Sequence, residues 1–352
     1  VIVRAVESSA ERLSTELSAR LGQLEGHVLR ALPIPGEGAD VGILASGDLD
    51  PKLSEAITTA KALLEEGKAS TALEVLRVFE KQRGDGGSRM EAYELVATKG
   101  NALVQLNRFE EAEAEFRAAL QLRRERPNAL ANVARVLFFR GVNEEAGRFV
   151  DKALEREAGN PTALNVRAQL LAREGRFEEA QAIAAQIPLS ADREYLRGSM
   201  ELWAGRPKVA LAYMEAALKL EPQNAVVREG VARALLQEAQ ETIEGTEYAP
   251  WGRIPTEVRS QLDRAMTLLT TAIEDLRRTD DIAATSRALL NRGTVRAFLG
   301  YSEAGQDFTE ALAGAPATPE SLRVAASYWL IHDQADEAIA HLEKYRATHP
   351  TS

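Results

Sequence analysis

An alanine returns at a fixed step of 34 residues in this chain, at Ala112, Ala146 and Ala180 and again from Ala304 to Ala338. The phrases around it are alike: LNRFEEAEAEF, RGVNEEAGRFV, EGRFEEAQAIA, GYSEAGQDF and HDQADEAIAHL. A constant period of this length predicts stacked copies of one supersecondary unit, none of which can bury its apolar face alone. Such an array works through an extended surface rather than a closed catalytic pocket.

The repeats are predicted to run from Pro51, where Asp50-Pro51 gives an N-cap and a first-turn proline, to about residue 350. Small residues mark the middle of each first helix: Gly100, Ala134, Ala168, Gly198 and Gly293. Each second helix opens on acids and an alanine, as in Glu110-Glu111-Ala112 and Glu144-Glu145-Ala146. The small residues let antiparallel helices approach closely, so a bulky side chain at Ala146 should cost about 1–3 kcal/mol through overpacking. The acids sit in the first turn and suit the helix dipole. Pro188 is expected to cut the fourth repeat short. The sixth breaks the period, because Ala265 follows Ala210 by 55 residues, which predicts longer helices and an insertion at about 242–256.

Upstream, Ser8 and Glu11 form a capping box. Leu13, Leu17, Leu21, Leu24 and Val28 then make one apolar stripe, and Pro33, Pro35, Gly36 and Gly38 end it. This divides the chain into residues 1–48, an amphipathic helix with a Pro/Gly linker, and 49–352, the repeat array. The helix could cap the first repeat, pair with itself, or lead in from a preceding domain.

The pattern over about 51–350 resembles the tetratricopeptide repeat (TPR) superfamily. That resemblance implies an all-α fold, a right-handed superhelical solenoid of antiparallel helix pairs with about eight repeats. It also implies a concave face lined by the first helix of each repeat. Carried onto this sequence, that face includes Asn101, Asn132, Arg135, Phe139, Asn165, Arg173, Tyr195, Trp203, Arg233, Asn291 and Phe298. Amides and guanidinium groups along a groove can hold a peptide backbone or a carboxylate, and interleaved aromatics can anchor apolar side chains. The same side chains can instead bridge neighbouring helices. Some family members clamp acidic chaperone tails. Asn101 and Asn132 match two positions of that clamp, but Ala97, Thr162 and Val166 stand where its basic residues belong. In the insertion, Tyr248 and Trp251 are candidate contacts, or cover apolar surface locally.

The net charge of −10 argues against duplex nucleic acid or an anionic membrane as partner. With no cysteine, disulfides and thiolate chemistry are excluded. The histidines are His27, His332, His341 and His349, and none pairs at the i, i+4 spacing of a helical metal site. No catalytic motif stands out, so no enzyme activity and no cofactor are expected. The expected function is a cytoplasmic scaffold or adaptor that binds a protein or peptide partner on the concave face. It could also form a homo-oligomer. The alternative is a regulatory or sensor arm of a larger bacterial effector whose enzymatic domain lies upstream of Val1.

Overall fold

A computed structural model of the chain describes residues 51–83, 89–123, 125–244, 254–314, 319–332 and 334–348. The capping box, the 13–28 stripe, Tyr248, Trp251, His27 and His349 lie outside these. The described residues form sixteen α-helices in eight pairs and no strand. The first four pairs are α1 (Pro51–Glu65) with α2 (Ala69–Arg83), α3 (Arg89–Gln105) with α4 (Phe109–Leu122), α5 (Pro127–Phe139) with α6 (Asn143–Arg156), and α7 (Pro161–Arg173) with α8 (Phe177–Ala184). The remaining pairs are α9 (Ala191–Trp203) with α10 (Pro207–Leu220), α11 (Ala225–Glu244) with α12 (Thr256–Leu276), α13 (Ile282–Leu299) with α14 (Ala304–Gly314), and α15 (Pro319–Ile331) with α16 (Ala335–Thr348).

The periodic alanines carry the packing. Ala72, Ala112, Ala146, Ala180, Ala210, Ala265, Ala304 and Ala338 are all buried on second helices. The small residues opposite them make room for large ones. At Gly100 a Cβ would stand 2.6 Å from the Phe116 ring, and Phe116 is fully buried. The irregular repeats follow the sequence: α8 has only 8 residues and ends short of Pro188, whereas α11 and α12 reach 20 and 21.

The turns inside the pairs share one backbone solution. At Gly141, φ is +79°, and the next amide, Val142 N–H, reaches back to Leu137 O at 2.9 Å. This is a left-handed C-cap that satisfies carbonyls freed at the end of α5. Asn107 takes the same role after α3 with φ of 58°, as asparagine tolerates this region better than other non-glycine residues.

The chain divides into two compact units, one taking residues up to Lys61 and 71–187, the other 62–70 and everything from Pro188. Asp280 ties the 62–70 turn into the second unit. Its N–H donates to Gly67 O at 2.9 Å, and its carboxylate accepts from Ser70 N–H at 2.8 Å. Within the first unit α5 packs on α7, and within the second α9 packs on α11, α11 on α13 and α13 on α15. Second helices of successive repeats do not pack on one another to that extent. In each unit the first helices therefore line the tighter, concave side.

Candidate functional site

In the first unit the face is built on the 34-residue step. One step joins Asn101 on α3 to Arg135 on α5, and Arg135 Nη2 donates to Asn101 Oδ1 at 2.8 Å. The Arg135 guanidinium also lies 5.9 Å from the centre of the Phe116 ring. Arg173, at the end of α7, stacks its guanidinium 3.6 Å from the centre of the Phe138 ring. It donates to Phe138 O at 3.1 Å and to Asn143 Oδ1 at 2.8 Å. Phe139 packs its ring 5.3 Å from that of Phe109. Asn165 accepts a hydrogen bond from Gln169 one turn later on the same helix. Asn101 and Asn132 are buried, while Arg135, Phe139, Asn165 and Arg173 are half-buried. Several side chains predicted as contacts thus also bridge helices.

In the second unit the short fourth repeat resets the step. Ser199 on α9, Arg233 on α11 and Asn291 on α13 occupy matching places, as do Tyr195, Glu229 and Arg287 one turn earlier. Gly230 lets the Tyr195 ring lie against α11, since a Cβ there would stand 2.6 Å from it. Glu229 is fully buried. Its Oε1 accepts from Asn291 Nδ2 at 2.7 Å, and its Oε2 lies 3.1 Å from Arg287 Nε. Burial disfavours the Arg287 cation, but the Glu229 charge outweighs this and holds the guanidinium firmly protonated. Arg233 Nη2 donates to Ser199 Oγ at 3.4 Å, a long bond to a neutral partner. Burial pushes the Tyr195 phenol up, with the charges of Arg233 and Arg287 opposing, so it stays a protonated hydroxyl. Trp203 and Phe298 are half-buried on the same helices.

Tyr195, Arg233 and Asn291 are therefore brought into one cluster. Sequence reasoning missed its centre, Glu229 and Arg287. The available signal was the period: Glu229 lies 34 residues after Tyr195, as Arg233 does after Ser199. A second ionic group was also missed. Asp307, buried on α14, accepts Arg292 through two bonds at 2.9 and 2.7 Å and pairs with Arg296 at 2.8 Å. Among the described residues no group of three or more His, Asp or Glu is placed to hold a metal ion, and no helix is long and apolar enough to cross a membrane.

Residues 97–161 match the model of the tetratricopeptide repeat family. No curated protein shows significant sequence similarity to the chain. Among solved structures the fold is similar to that of human IFIT1, crystallised as a dimer with m7Gppp-AAAA, with a TM-score of 0.63, 14% identity, and coverage of 94% of this chain and 82% of that one. It is also similar to a chain of the APC/C hetero-tetramer Cut9-Hcn1, with a TM-score of 0.61 and 14% identity over 84% of this chain. This chain spans only 53% of the length of that one. Helix pairs, period and family match together define a class: the chain belongs to the tetratricopeptide repeat superfamily and is an all-α solenoid of paired helices.

Proposed function

We propose that the protein is an interaction scaffold that binds a peptide or protein partner along the first helices of its repeats. One observation carries the reading: half-buried cationic and aromatic side chains recur along the concave face of each unit, as at Arg135, Phe139, Arg173, Trp203 and Arg233. A rigid row of such groups can read an extended chain, with guanidinium groups holding carbonyls or carboxylates and rings holding apolar side chains. The helix pairs supply the rigidity, since every backbone amide of the site lies within a packed helix. Specificity would come from the order of donors and rings along the row, and the reading involves no cofactor.

The test is affinity capture by the full chain beside variants Arg135→Ala with Phe139→Ala, and Trp203→Ala with Arg233→Ala. A protein retained by the parent and lost from a variant of unchanged melting temperature supports the reading. Equal capture by the parent and both variants overturns it.

A further inference from the structure

The second-unit cluster contains a charge that its neighbours do not balance. Glu229 is the only carboxylate the cluster offers, and it is committed to Arg287 and Asn291. Arg233 has no carboxylate within 4.0 Å among the described residues, and its one printed hydrogen bond is the 3.4 Å contact to Ser199. Counting Glu229, Arg233 and Arg287, the cluster carries one net positive charge inside packed helices. Its remaining hydrogen-bonding capacity is of one kind. Arg233 Nε and Arg287 Nη2 are buried and make no hydrogen bond among the described residues, and the same holds for the Tyr195 hydroxyl. Tyr195 is almost wholly buried, so this hydroxyl is fixed in place by the core around its ring.

Buried donors without acceptors, next to an unbalanced cation, are a costly arrangement for a purely structural site. The ordinary structural solution is present in the same unit. At Asp307 two guanidinium groups close on one carboxylate through three contacts of 2.7–2.9 Å. The cluster around Arg233 lacks that closure. A planar anion presented from the concave side would supply two acceptor oxygens to Arg233, with Tyr195 and Ser199 beside it as neutral donors.

Resting on the scaffold reading above, we infer that the cluster of Tyr195, Ser199, Arg233, Arg287 and Asn291 is a binding site for a carboxylate of the partner peptide, with Arg233 as its anchor. Glu229 sets the selectivity. Its fixed negative charge behind Arg287 repels a ligand of higher charge, so a singly charged carboxylate is favoured over a phosphate group. The overall charge of −10 points the same way, because it opposes a polyanion such as RNA more than one isolated carboxylate.

The experiment uses the full chain on an array of short synthetic peptides of random sequence in three versions: containing Asp or Glu, with those residues changed to Asn or Gln, and with phosphoserine in their place. The expected result is binding to a subset of the acidic peptides, weakened about tenfold or more by the amide change and by Arg233→Met. Arg233→Lys should recover part of the affinity. A second readout needs no ligand. Arg233→Met should leave the melting temperature unchanged or raise it, because it removes an unbalanced charge. Binding indifferent to the amide change or to Arg233→Met, tighter binding of the phosphoserine versions, no binding to any version, or a marked loss of melting temperature in Arg233→Met would each overturn the inference. Binding lost in the Arg135 and Phe139 variant but untouched at Arg233 would leave the scaffold reading standing and remove only this site.

Discussion

Arg135 in the first unit rests on a neutral amide, that of Asn101, while Arg287 in the second faces the carboxylate of a fully buried Glu229. Both contacts join the first helices of successive repeats, and both lie on the concave side. They differ in what remains when one partner is removed. Loss of the Asn101 amide leaves a guanidinium that still stands over the Phe116 ring. Loss of Glu229 leaves a buried guanidinium without its counter-ion, beside a second one at Arg233. One repeat geometry thus supports a forgiving polar ladder and an unforgiving ionic one, and burial of the acid separates them.

The largest expected effect breaks the ionic side. Glu229→Ala should cost about 3–5 kcal/mol of stability, read as a lowered midpoint in urea unfolding. A double-mutant cycle on Glu229 and Arg287 should then show strong coupling, because the second removal relieves the first. If the coupling is no larger than for Asn101 with Arg135, the contrast between the units fails.

A smaller effect concerns how the helix pairs close. Gly100→Ala should cost about 2 kcal/mol, since the added Cβ meets the rigid Phe116 ring. Gly198→Ala meets Met214, whose flexible chain can move aside, and should stay within about 1 kcal/mol of the parent. Equal losses on thermal unfolding would show that Met214 is held as firmly as Phe116.

Next comes the neutral ladder. Asn101→Ala removes an acceptor from a charged donor and should cost about 1.5 kcal/mol. A loss matching that of Glu229→Ala would erase the distinction between the two faces.

The smallest effect is a pH dependence in the second unit. Asp192, in the first turn of α9, has its carboxyl pushed up to about 7 by burial and by the charge of Glu221. The folded state therefore holds this proton more tightly than the unfolded chain, whose carboxyl titrates near the ordinary value. Its contribution is present at pH below that ordinary value and is lost as the pH rises through 7. Asp192→Asn should raise the melting temperature by ~2 °C at alkaline pH and leave it unchanged in mild acid. A rise of the same size in acid would point to a cause other than this proton.

Much of the fold was legible because it repeats. The alanine period places every second helix, and the shortened α8 and lengthened α11 and α12 follow from Pro188 and from the 55-residue gap before Ala265. Gly141 marks a turn on its own chemistry. Asn107 marks an equivalent one only once the period aligns it with Gly141. The candidate site was legible in outline, since Tyr195, Arg233 and Asn291 were picked as face residues and converge. Its centre was not, because an acid at 229 inside an apolar helix face reads as a solvated charge until Arg287, 58 residues later, is brought against it. That separation combines the repeat with its insertion, so no fixed period reveals it.

The full burial of Glu229 also bears on how this chain can drift. Position 229 cannot change before positions 287 and 291 have changed with it, and they in turn cannot lose their polar groups first. The three residues are bound into one heritable unit across two repeats. Repeats that arose by duplication have here become dependent on one another, so neither of this pair could be shuffled to a new place in the array without carrying the other along.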